Sequence, residues 1–329
     1  MPMPHGFSGE ILAVCTGEAG DAGALKAASR LASTAGTALR IISVIENDPG
    51  DDLMRAIAGP EPEAIHAARR DERREAVAAA MAEAGLDGAG AEIEITAGKT
   101  FQEIIRHAVR EDCSMIVKAA SHPGRLHRLL LGSEDLHLVR KSPVPVWILR
   151  EGLEAGADEV LAAVDFGPDA EGSESSYALN TRILETACGM ALCFGARLRL
   201  VHVWQAPAEG LLQRAAPGVT HAQLEDYVRR VAARHQASLD ALCDEAEAVA
   251  RTMAATDFTV GSLLERGDAR DLLPGIANRV KPLALVMGTV SRTGIPGLFI
   301  GNTAEDVLLA LEGSVVAVKP PGFETPVKL

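Results

Sequence analysis

"LVMGTVSRTGIPGLFIGNTAEDVL", residues 285–308, decides how the chain is read. An apolar run stops at Gly288, glycines recur at Gly294, Gly297 and Gly301, and a helix-start pattern follows. A short apolar strand that passes through a glycine-rich turn into a helix is one step of an open parallel sheet. The turn itself has two readings. It cradles phosphate if bare main chain turns its N–H groups inward and runs into a helix N-terminus, where unpaired donors and the dipole favour an anion. It is plain turn chemistry if Asn302 is the N-cap, Glu305 completes a capping box, and Glu305 and Asp306 already offset the dipole. Neither a Walker A motif nor the dinucleotide GxGxxG is present, which disfavours those nucleotide folds.

Outward from this stretch, apolar runs alternate with amphipathic segments. In the first half ILAVC (11–15), LRIISVI (39–45), AEIEIT (91–96), MIVKA (115–119) and VPVWIL (144–149) predict strands, with helices near 22–36, 60–84, 101–111 and 134–141. VLAAVD (160–165), LRLVHVW (198–204), FTVGSLLE (258–265), LALVMG (283–288) and SVVAV (314–318) repeat the order. Gly98 matches Gly267 and Gly132 matches Gly301, each 169 positions apart, whereas Thr16 and Asp165 are 149 apart. A conserved order with an insertion of about twenty residues, half of it near 166–177, marks a duplicated unit. The expected fold is α/β: two tandem doubly wound domains, each with a five-stranded parallel sheet and helices on both faces. The boundary is expected at 150–157, dividing a first domain of residues 1–150 from a second of 151–329. Such sheets bind ligands beyond the strands' carboxyl ends where strand order reverses, here at Asp165 and Gly288.

Composition narrows the function. A net charge of -13, with no basic stripe carrying interleaved aromatics, argues against nucleic acid and anionic membrane surfaces as partners. No apolar run reaches the roughly 20 residues of a membrane span, and the start MPMPHGFSGE lacks the features of a secretion signal; a soluble, cytoplasmic protein is expected. Five cysteines without a CxxC pair suit reduced thiols.

The glycine turn, the aspartate ending VLAAVD, and LLLGSEDLHLVRKSPVPVWIL in the first half resemble the universal stress protein family, and together its tandem E-type members. The resemblance covers nearly the whole chain. It implies a stress-response binding protein, last strands that pair between domains as a pseudo-dimer, and ATP or another adenine nucleotide bound without Walker motifs. Carried over, Asp165 and the backbone of Val203 contact the adenosine part, while Gly288, Ser291, Gly301, Asn302 and Thr303 surround ribose and phosphates. Ser291 stands where the family has its second glycine, and Asn302 where it has serine or threonine. In the first domain Thr16, Ala119 and His122 replace the aspartate and two glycines, so no nucleotide is expected there and that half serves as support. The rival reading is a scaffold or small-molecule carrier that uses the cleft between domains; a protein partner is expected under the leading reading, further dimerisation is left open, and a third reading is slow ATP hydrolysis.

Other residues favour bland readings. His122, His127 and His137 lack the convergent partners of a zinc site, so no metal is expected. His202 reads as a hydrogen-bonded histidine at a strand surface. Arg266, Arg270 and Arg292 either offset phosphate or pair with Glu265, Asp268 or Asp271. Ser173, Ser175 and Ser176 sit in an acidic stretch whose composition suggests mobility. With no GxSxG or HExxH, a dedicated hydrolase is not expected.

Overall fold

The computed structural model describes residues 7–18, 20–46, 62–86, 90–121, 131–150, 157–168, 171–215, 220–253, 258–290 and 300–329. The first half runs β1 (Ile11–Val14), α1 (Asp21–Ala35), β2 (Leu39–Ile45), α2 (Pro62–Glu83), β3 (Glu92–Ala97), α3 (Thr100–Arg110), β4 (Met115–Ala119), α4 (Ser133–Lys141) and β5 (Val146–Leu149). The second runs β6 (Glu159–Ala163), α5 (Glu174–Phe194), β7 (Arg197–Trp204), α6 (Glu209–Ala215), α7 (His221–Thr252), β8 (Val260–Arg266), α8 (Ala269–Val280), β9 (Ala284–Gly288), α9 (Asn302–Ala310) and β10 (Val315–Val318).

The strands form one sheet in the order β3-β2-β1-β4-β5-β10-β9-β6-β7-β8. Pairing is parallel within each half; the inner strands are apolar and covered on both faces, whereas the edge strands β3 and β8 are partly exposed. The duplicated register is visible in the ladders: Ile11 faces Met115 in the first half and Val160 faces Ala284 in the second. Gly98 and Gly267, matched in sequence, share a φ of 155° and 158° that side chains rarely adopt. One face of the sheet packs on α1, α2, α5 and α7, the other on α3, α4, α8 and α9, giving two aliphatic layers.

The halves join where the last strands meet. β10 pairs antiparallel with β5, placing Val316 opposite Trp147. Trp147 has no exposed surface and meets the Phe194 ring edge-on, with centroids 5.5 Å apart. Arg30 of α1 crosses the seam to donate to Phe194 O at 3.1 Å. The expected meeting of last strands inside one chain is therefore observed.

The segment 166–177 differs from expectation. Ser173 is an N-cap that accepts from Ser176 N at 3.1 Å, so Ser175, Ser176 and Tyr177 lie in the first turn of α5 rather than in a loop. Capping outweighs the acidic, serine-rich composition there. The rest of the added length falls between β7 and β8, where α7, the 32-residue counterpart of α2, starts in a Thr220–Gln223 capping box.

Candidate functional site

In the second half the sheet order reverses between β9 and β6, and a cleft of about 790 Å³ opens there. Asp165, Val203, Gly288, Gly301, Asn302 and Thr303 all line it; Ser291, His122, His127 and Arg292 lie outside the described residues. Asp165 is fixed by its backbone, whose N–H donates to Asn180 Oδ1 at 3.2 Å and whose carbonyl accepts from Asn180 Nδ2 at 3.0 Å. Its carboxylate accepts from Gly167 N at 3.0 Å. Val201, Val203, Leu273 and Met287 supply apolar walls.

The far side is the start of α9. Gly301 is the N-cap, at φ -66° and ψ 141°, and no side chain caps the helix. The expected capping box is thus absent: Asn302 is already the first helical residue, and Glu305 pairs with Arg140 of the other half. Val290 and Ile300 form a bridge, and Gly301 N donates to Thr289 O at 3.0 Å, which brings the two ends of the glycine stretch together. At α8, by contrast, Asp268 accepts from Arg270 N at 2.9 Å, so that helix start carries its own carboxylate. Gly288 has an ordinary backbone; a Cβ there would stand 2.6 Å from Leu179 Cδ2 on α5, whose side chain would have to shift.

The arginines pair differently from the sequence expectation. Arg266 bonds Glu209 and lies over the Trp204 ring, and Arg270 reaches Asp306 at 3.4 Å. His202 is 1% exposed, not at the strand surface. Its Nδ1 is 3.0 Å from Val164 O, and its Nε2 is 2.9 Å from Nδ1 of His235, which lies on α7. Because a carbonyl only accepts, Nδ1 of His202 carries a proton; in the neutral ring Nε2 then accepts from His235. Burial lowers the His202 pKa, more than the Val164 bond raises it, which favours the neutral His202 ring. Sequence reasoning missed His235, although it interrupts the buried face Leu224, Leu239, Leu242, Ala246 of α7.

The matching place in the first half also holds a cleft, of about 540 Å³, lined by Thr16, Lys118, Ser121 and Glu134 among others. Here the chain's own carboxylates take the donors. Asp21 accepts from the backbone N–H groups of Thr16, Gly17 and Glu18 at 2.8, 2.7 and 3.2 Å. Asp135 accepts from Ser121 N at 2.8 Å and from Lys118 Nζ at 2.8 Å, a pair with almost no exposure. The equivalents of Lys118 and Asp135 in the second half are Met287 and Ala304. The sequence showed a lysine inside the apolar run MIVKA, but not its partner.

The model of the universal stress protein family matches residues 9–150 and again 157–319. The chain belongs to the universal stress protein family. It is 27% identical over 253 residues to universal stress protein E of Escherichia coli K12, covering 73% of this chain and 72% of that one, and equally identical over 250 residues to that of Salmonella typhi. Two universal stress protein domains and this likeness make it a tandem, E-type stress-response protein. Among solved structures, a functionally unknown protein of Pseudomonas aeruginosa PAO1 is similar at a TM-score of 0.63, 24% identity and 94% coverage of this chain and 92% of that one. A universal stress protein of Archaeoglobus fulgidus is similar at 0.60 and 18% identity, covering 98% of this chain and all of that one. Among the described residues no helix is long and apolar enough to cross a membrane, and no group of three or more His, Cys, Asp or Glu is placed to hold a metal ion.

Proposed function

We propose that this universal stress protein acts by binding an adenine nucleotide such as ATP in its second domain (151–329), while the first (1–150) supports it. The observation that carries this reading is the contrast between the two clefts. In the first, Asp21 and Asp135 occupy the backbone donors at the ends of β1 and β4. In the second, Ala304 replaces the acid, and Gly301, Asn302 and Thr303 line the cleft at the start of α9, which like that of α4 has no side-chain cap; this supports an anionic ligand as the partner of those N–H groups. Asp165 at the opposite wall suits ribose hydroxyls, and the apolar floor suits a base. Occupancy acts on the start of α5, whose Ser175 and Ser176 line the same cleft.

The rival reading needs a carrier cleft between the domains, where the described residues instead pack Trp147 against Phe194. Calorimetric titration of ATP decides the matter. The wild type is expected to bind, Asp165→Ala to weaken binding about tenfold through a lost charged hydrogen bond, and Thr16→Ala to leave it unchanged. Equal, negligible heats in all three would remove the nucleotide reading, and ADP release above a buffer blank would revive the hydrolytic one.

A further inference from the structure

Lys319 follows β10 at the foot of the glycine stretch. It is 3% exposed, and its amine donates to Thr289 Oγ1 and lies 5.0 Å from the centroid of the Phe323 ring. Among the described residues no carboxylate lies within ion-pair distance of it. Thr289, itself without exposed surface, accepts from Gly301 N through its carbonyl at 3.0 Å and donates to Val318 O at 3.2 Å. The amine is thus two hydrogen bonds from the amide that starts α9, and its neighbour Pro320 lines the cleft. Thr289 and Phe323 carry no charge; among the described residues the ionisable groups that line the cleft are Asp165, Asp268, Arg270, His202 and His235. Burial alone lowers the Lys319 pKa to about 7.

The first half shows the same problem solved internally. Its buried amine, Lys118, has Asp135 as a partner, whereas the second half keeps a buried amine with no acid beside it among the described residues. We propose that Lys319 is the counter-charge for an anionic ligand of the second cleft: a phosphate-bearing ligand draws a proton onto the amine, and an uncharged nucleoside does not. The inference rests on the nucleotide reading above and adds to it a preference for charge and a link to pH. A multiply charged phosphate within about 10 Å, at the effective dielectric of a partly buried pair, moves such a titration by a unit or more.

The test is calorimetry of ATP and of adenosine at pH 8 in two buffers of different ionisation enthalpy, where His202 is neutral and contributes no proton. Wild type is expected to take up about half a proton or more per ATP and little with adenosine. Lys319→Met is expected to bind ATP about tenfold more weakly, with the uptake gone, and to bind adenosine as wild type does. ATP binding by wild type without proton uptake, or uptake that persists in Lys319→Met, would overturn this inference while leaving nucleotide binding intact. Absence of heat with both ligands would overturn both.

Discussion

At the scale of single residues, the two halves differ in how they treat buried charge. Lys118 and Asp135 are 1% and 0% exposed and answer each other across 2.8 Å, while the corresponding Met287 and Ala304 are apolar. Removing one member of such a pair leaves an uncompensated charge, so Lys118→Met is expected to cost about 3–5 kcal/mol of stability in urea denaturation. The double change Lys118→Met with Asp135→Ala reproduces the second half's solution and is expected to recover most of that loss. If the double variant is as unstable as the single one, the pair is not what holds the turn. Lys319 gives the complementary case. Its folded pKa near 7 lies below the roughly 10.4 of a free lysine, so between those values the unfolded chain binds the extra proton. Stability therefore rises with pH above 7, by up to about 1.4 kcal/mol per unit, and the whole penalty is present below pH 7. Lys319→Met is expected to flatten that rise in melts taken from pH 7 to 10; an unchanged slope would refute the assignment. MIVKA reads in the sequence only as a strand, and the acid that answers its lysine stands 17 residues on in a helix, a distance that only the tertiary fold closes.

Elements show where local signals compete. β2 and β4 coincide with LRIISVI and MIVKA, and the glycine register 98/267 and 132/301 anticipated equivalent turns, because strand periodicity and backbone freedom are local properties. The start of α9 was less legible: Asn302 and Glu305 fit a capping box, yet Arg140 from the other half claims Glu305 and the helix begins one residue earlier in its geometry. His202 was placed at a surface because a strand pattern cannot show that α7 brings His235 over it. Gly288 was visible as a glycine, but its reason lies partly in α5. A methyl group at 288 would stand 2.6 Å from Leu179 Cδ2. Gly288→Ala is therefore expected to cost about 1–3 kcal/mol by overpacking, measured as a shift of the urea midpoint. The pair Gly288→Ala with Leu179→Ala is expected to lose less than the two single costs added together. Additive losses would mean that the strand end, not the α5 contact, demands glycine.

On the scale of the whole molecule, two units with mirrored last strands become one continuous sheet, and the C-terminal tail tightens the union. Val327 is buried in the layer formed by α3 and α4, and Arg106 of α3 donates to Lys328 O at 2.7 Å, so the tail of the second half ends on the first. The seam explains why the internal strands β5 and β10 remain short and wholly apolar: each is edge to its own half but central to the sheet. An unpaired apolar edge invites another strand. A fragment of residues 1–150 exposes β5, with Trp147 and Ile148 no longer covered by Val315, Val316 and Phe194. The antiparallel geometry of the seam is nearly self-complementary, so the fragment is expected to pair β5 with β5 of a second copy and to run as a dimer by light scattering. The intact chain, whose β5 is already occupied, is expected to show no such pairing. A monomeric wild-type fragment with native dichroism would mean that the seam is held by the helices and the tail rather than by the strands that meet in it.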